Sequence, residues 1–210
     1  RLAERAKKAN SILCIGLDPH PEMLPEQTGI AAVAFCRRII DATSELACAY
    51  KPNSAFFEAL GAEGMAGLRQ VIDLVPDDIP VILDAKRGDI ASTARAYARA
   101  AFDLLGADAI TINPYLGQDA VAPFIQDPER GVFLLCKTSN PGADALQAQI
   151  LNTGQPLYVH LAELAAEWSS NENLGLVVGA TDARALAAVR AAAPDMWFLA
   201  PGVGAQGGDL

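Results

Sequence analysis

Apolar residues recur along this chain in two rhythms. Short continuous runs occupy Ser11–Leu17, Ala47–Tyr50, Pro80–Leu83, Ala107–Asn113, Gly131–Cys136, Leu174–Val178 and Met196–Ala200. Between them lie longer segments whose apolar residues return every three or four positions. The first rhythm predicts strands buried on both faces, the second amphipathic helices. The predicted helices begin with residues 1–10, a charged lead-in. The next is Phe35–Leu46, with Phe35, Ile39, Thr43 and Leu46 on one face, followed by Met65–Val75. A helix over 93–105 turns Ala94, Tyr97, Ala98, Ala101, Phe102 and Leu105 to one side. Ala120–Gln126, a helix through Leu157, Leu161, Leu164, Ala165 and Trp168, and Asp182–Ala192 complete the set. Thr181 or Asp182 is placed to cap the last of these. Residues 143–155 are polar and glycine-punctuated, which predicts a mobile loop.

Strands that are apolar throughout and separated by helices mean a parallel sheet covered by helices. Polar residues collect just after the strands: Asp18, Lys51, Asp84 to Asp89, Asn113, Lys137 to Asn140, and Pro201 to Gly208. A barrel and a doubly wound sheet both place ligands at that end. Seven short, evenly spaced strands favour an α/β (β/α)8 TIM barrel, one domain over residues 1–210, with the eighth strand absent from these residues. A glycine-rich end would leave a sheet edge uncovered, and Arg1 stands first. Both features predict a natural chain that continues further.

The 210 residues are 51% hydrophobic and 20% charged, a balance that supports one sizeable core. A net charge of -9 with no basic run excludes nucleic acid as an expected partner. It does not exclude an anionic small molecule held in a locally cationic pocket. Cys14, Cys36, Cys48 and Cys136 show no paired spacing and no metal-ligand spacing with His20 or His160, so free thiols are expected. With no signal peptide and no apolar run of membrane-spanning length, the expectation is a cytoplasmic protein with no membrane partner.

Val81–Ile90, V-I-L-D-A-K-R-G-D-I, carries the densest chemistry. Strand alternation predicts that Asp84 and Lys86 share a face. Asp89 follows a glycine that lets the backbone turn close to a ligand. Lys51 ends the preceding strand, so two lysines and two aspartates can alternate in one cluster. At about 4 Å and an effective dielectric near 20, each opposite pair gains roughly 4 kcal/mol before desolvation. Such pairing keeps the lysines protonated, and an ammonium beside a carbon stabilises negative charge there and then donates its proton. The chemistry indicated passes through a carbanion. An ion-pair network that merely satisfies polar groups at a barrel mouth is the competing reading. The place of the set after a buried strand favours function.

Other signals are weaker. G-V-G-A-Q-G-G at 202–208 can offer backbone N–H groups to a phosphate or can simply turn. Ser139, within T-S-N-P-G, caps a turn or reads a base edge. Asp18 binds a hydroxyl or caps its loop. His20 and His160 are expected to be non-catalytic.

The motifs L-D-A-K-R-G-D-I-A-S-T, C-I-G-L-D-P, Y-K-P-N-S-A-F-F-E, T-S-N-P-G and A-P-G-V-G-A-Q-G-G-D together resemble the orotidine 5'-phosphate decarboxylase family. The resemblance runs from about residue 11 to the last residue, and is closest to the bacterial branch whose first strand continues into D-P-H-P. It implies a (β/α)8 barrel acting as a homodimer, without cofactor or metal. The implied reaction converts orotidine 5'-phosphate to uridine 5'-phosphate, the last step of pyrimidine nucleotide synthesis. By that resemblance Lys86 protonates C6, Asp84 repels the leaving carboxylate, and Lys51 links the ribose to Asp84. Asp18 binds a ribose hydroxyl, and Asp89, Ile90 and Thr93 reach across from the partner subunit. Ser139 contacts the pyrimidine, Pro201 lines the pocket and Gln206 bridges to the phosphate. The family's eighth strand, ending in a Gly-Arg pair that grips phosphate, is not among these residues. Two alternatives stay open: a magnesium-dependent sugar-phosphate relative sharing D-x-K-x-x-D, and a non-catalytic barrel that binds a pyrimidine nucleotide.

Overall fold

The computed structural model describes residues 1–203. Within them the order is α1 (Leu2–Ala9), β1 (Cys14–Leu17), α2 (Gly29–Thr43), β2 (Ala49–Pro52), α3 (Ser54–Glu58), α4 (Gly61–Leu74) and β3 (Ile82–Arg87). There follow α5 (Ala91–Arg99), continued by a wider π turn over Ala100–Leu104, then β4 (Ala109–Ile112), α6 (Gln118–Ile125) and β5 (Gly131–Lys137). The last described elements are α7 (Asp144–Gln147), α8 (Leu157–Trp168), β6 (Leu174–Val178), α9 (Ala183–Ala192) and β7 (Phe198–Leu199). No helix among the described residues is long and apolar enough to cross a membrane.

The chain forms two compact units. One comprises Arg1–Ala85 and Arg95–Ile110, the other Lys86–Ala94 and the chain from Thr111 on. In the first, β1 pairs parallel with β2 from Cys14 opposite Ala49 to Leu17 opposite Pro52. Parallel bridges join Tyr50 to Val81 and Asn53 to Asp84, and the N–H groups of Asp108 and Ala109 both donate to Val81. In the second, β5, β6 and β7 follow in sequence order, all parallel. Every residue of β4 and of β6 is buried, as expected for strands covered on both faces.

Helix α2 starts six residues earlier than its apolar spacing predicts. Thr28 caps it, accepting from the Ala31 N–H at 3.2 Å. Its buried line is Ala32, Cys36 and Ile40, one residue off the predicted face, and Leu46 is exposed. The predicted face included Thr43, which instead turns its hydroxyl to Ile39 O and to Tyr50 Oη, at 2.6 and 2.8 Å. Gly29 is needed where α2 crosses α4, because a Cβ there would sit 2.5 Å from Glu63 O. The predicted loop 143–155 contains α7 and a bridge from Ile150 to Pro156. Asp182, one of the two expected caps, accepts from the Arg184 and Ala185 N–H groups of α9.

Arg5 fastens α1 to the N-terminal side of the first unit. Its guanidinium is buried, donates to Ala47 O at 2.9 Å and to Ser44 O, and pairs with Asp78 at 2.7 Å. Without Arg5 the carbonyls of Ala47 and Ser44 lose their guanidinium donor, and a buried acceptor left unsatisfied costs about 1–3 kcal/mol. Arg5→Met is therefore expected to lower the unfolding free energy by about that amount in urea titrations. A loss under about 1 kcal/mol would mean that α1 adds little to the unit.

Candidate active site

In the first unit, β2 carries Lys51 and β3 carries Asp84, two positions that the parallel registers bring together. Lys51 Nζ donates to Asp84 Oδ2 at 3.0 Å, with only 16% and 10% of the two side chains exposed. At that distance an effective dielectric near 20 gives about 5 kcal/mol of attraction, against several kcal/mol of desolvation per ion. Burial is the largest single influence on Lys51 and pulls its pKa down. The Asp84 and Asp18 charges, with the hydrogen bond to Asp84, outweigh it and hold the ammonium above the ordinary lysine value.

Asp18 follows β1, and its Oδ1 is buried with no hydrogen-bond partner among the described residues. An acceptor left in that state costs about 1–3 kcal/mol, and a hydroxyl donated by a ligand removes the cost. Burial pushes the Cys14 and Cys36 thiols up to about 12, leaving both neutral and without nucleophilic character. His20 lies against Phe56, ring centroids 4.3 Å apart and planes tilted at 56°.

In the second unit, Lys86 stands at φ 48, the left-handed region, near the end of β3. Strand alternation alone therefore does not set its direction. Its N–H donates to Thr111 Oγ1 at 3.0 Å, and Thr111 is buried in the apolar β4. Gly88 passes so close to Asn113 that a Cβ would lie 3.0 Å from Asn113 O, while the Asn113 N–H donates to Arg87 O at 2.7 Å. Asp89 Oδ1 accepts from the Ile90 N–H at 2.7 Å, Ala91 is again left-handed, and the Thr93 N–H donates to Ile90 O. Two left-handed residues thus bracket R-G-D-I. Ile90 is 54% exposed.

Ser139 follows β5 and lies against Gly179, where a Cβ would meet Ser139 Cβ at 3.0 Å. The Gly179 N–H donates to Lys137 O at 2.7 Å, and the next residue, Ala180, donates to Pro201 O at 2.8 Å. Ser139 and Pro201 are thereby brought to one stretch of the second unit. Gln206 lies outside the described residues. Sequence reasoning missed Thr111, a lone hydroxyl in A-I-T-I, and gave no role to Asp144, whose carboxylate pairs with Lys137 Nζ at 2.8 Å.

Comparison with known proteins agrees over nearly the whole chain. Residues 11–210 match the family model described as orotidine 5'-phosphate decarboxylase / HUMPS family. The chain is 57% identical over 209 residues to an orotidine 5'-phosphate decarboxylase of Roseiflexus sp., covering 98% of this chain and 76% of that one. Among solved structures, a putative orotidine-monophosphate decarboxylase of Toxoplasma gondii superposes with a TM-score of 0.96 at 46% identity. That match covers all of this chain and 79% of the other. The UMP synthase of Leishmania donovani gives 0.93 at 55% identity, with 99% of this chain spanning 45% of that longer one.

Lys51 has its folded pKa raised, so the stability it contributes is complete below about pH 10.4 and is lost as pH climbs through the folded value. Lys51→Met is expected to flatten the alkaline fall in unfolding free energy above about pH 10.4. An unchanged fall would place the titrating group elsewhere.

Proposed function

The chain belongs to the orotidine 5'-phosphate decarboxylase / HUMPS family, and we propose that the charged residues of β2 and β3 carry its reaction, decarboxylation of orotidine 5'-phosphate to uridine 5'-phosphate and carbon dioxide. The fold is the (β/α)8 class of that family, and the reaction is the last step of UMP synthesis. The observation that carries the assignment of roles is the desolvated Lys51–Asp84 pair, with Asp18 beside it holding an unpartnered oxygen.

The chemistry follows from these charges. The bond from C6 to the substrate carboxylate breaks, carbon dioxide leaves, and the electron pair stays on C6. The Lys86 ammonium then supplies the proton that completes the product. Asp84, fixed by Lys51, faces the substrate carboxylate and raises the energy of the bound substrate more than that of the transition state, in which that charge disperses. Asp18 accepts from a ribose hydroxyl, satisfying its Oδ1, and Lys51 bridges the ribose and Asp84. Ser139 contacts the pyrimidine, Pro201 lines the base pocket and Gln206 reaches the phosphate. No metal or cofactor takes part in this proposal.

The protein acts as a cytoplasmic homodimer in which Asp89, Ile90 and Thr93 complete the partner's site. The half-exposed Ile90, with Tyr115 80% exposed in the same unit, supports that reading, since large apolar side chains left in water mark interaction surfaces.

Two experiments test the proposal. Ultraviolet absorbance of orotidine 5'-phosphate is expected to fall with the full-length protein, equally with chelator present. Lys86→Ala should lose at least about 10²–10⁴-fold in turnover. No turnover by the wild type, or turnover that chelator abolishes, overturns the assignment. Mixing inactive Lys86→Ala with inactive Asp89→Ala should restore up to about a quarter of wild-type activity through mixed dimers. Failure of mixed dimers to regain any activity would place Asp89 in its own subunit's site.

A further inference from the structure

Lys137 is the last residue of β5, and it is almost wholly buried. A buried ammonium costs several kcal/mol unless it is paired. Its carboxylate partner is Asp144 Oδ1 at 2.8 Å, on α7, and its other acceptor is Thr138 O at 3.4 Å. A second tie runs between the same two segments. The Thr138 N–H donates to Gln147 Oε1, and Gln147 Nε2 donates back to Thr138 Oγ1, both at 2.8 Å. Thr138 Oγ1 also donates to Asn140 Oδ1 at 2.7 Å. The segment between these ties carries Ser139, and Gly179 packs against Ser139 from the other side. A stretch that composition marks as a loop is thus closed onto a strand end by one buried charge and two hydrogen bonds between Gln147 and Thr138.

We propose that Lys137 is a positioning residue. Its ammonium, paired with Asp144, pins residues 138–147 so that Ser139 is presented to the base of the nucleotide substrate. The proposal rests on the reading of Ser139 given above. The driving force is the demand of a desolvated cation for its carboxylate. Asp144 is 73% exposed on its own side, so the pair is asymmetric: the lysine cannot do without the aspartate, whereas the aspartate could be solvated alone. Loss of either partner therefore loosens α7 and the segment carrying Ser139, with the Thr138–Gln147 hydrogen bonds still in place. Ribose and phosphate contacts, made elsewhere, should be indifferent to the change.

Amide hydrogen exchange reads the clamp without reference to catalysis. Asp144→Asn, which removes the charge but keeps an amide oxygen as an acceptor for Lys137, is expected to speed exchange across 138–147 about tenfold, with residues 131–136 unchanged. With orotidine 5'-phosphate, Asp144→Asn and Lys137→Met should each raise KM about tenfold at nearly constant kcat. The double variant should be no worse than Lys137→Met, because the pair acts as a unit. Affinity for ribose 5-phosphate, which lacks the base, should not move. Unchanged exchange in Asp144→Asn overturns the clamp whatever the kinetics show. Additive losses in the double variant, or a parallel loss of ribose 5-phosphate affinity, overturn it too and give Lys137 a direct substrate contact. If the wild type does not turn over orotidine 5'-phosphate, the functional reading falls, and the exchange result alone decides the clamp.

Discussion

An ammonium taken out of water has to be given a carboxylate, and this chain meets that demand at two strand ends. Lys51 in β2 finds Asp84 in β3, and Lys137 at the end of β5 finds Asp144 in α7. The energetics are alike, a Coulomb gain of a few kcal/mol set against desolvation of similar size. The consequences differ because the carboxylates sit on different supports. Asp84 is held in the sheet, where Asn53 bridges to it across the parallel pairing, so Lys51 acquires a fixed position. Asp144 is held by a four-residue helix with little of its own to stabilise it, so there the lysine fixes the helix.

Fixed charge is what decarboxylation through a carbanion requires. Water around a reacting centre must reorient as charge moves, whereas dipoles and ions held by the fold do not. The unpartnered Asp18 Oδ1 belongs to the same economy. A buried acceptor without a partner carries a cost of about 1–3 kcal/mol that any donor reaching it would remove. The left-handed Lys86 and Ala91 add a backbone cost of about 1–2 kcal/mol each, offset by strands whose residues are buried throughout.

The strands were legible in the sequence because parallel strands covered on both faces are apolar without interruption, and each of the seven runs coincides with a strand among the described residues. Helix beginnings were harder. The first turns of α2 lie in G-I-A-A-V, where alanine carries no periodic contrast and the start is declared only by Thr28. Helix α3 spans five residues, too few to show a period. Lys51 and Asp84 could be picked out because charge just after an apolar run is rare and informative. Asp144 could not, since an aspartate in a polar, glycine-punctuated stretch looks solvated until its distant partner is known. Pairings between elements are set by tertiary register, and local pattern does not contain that.

Lys86 shows the same limit on a smaller scale. Period two predicts one face for Lys86 and Asp84, an argument made for extended backbone. At φ 48 the backbone leaves the extended region at Lys86. The departure needs an acceptor for the Lys86 N–H, and Thr111 supplies a hydroxyl in the middle of an otherwise apolar strand. A valine there would carry no lone pair to accept that hydrogen bond. The threonine is therefore the mark, on the neighbouring strand, of a backbone turn that Lys86 itself does not announce.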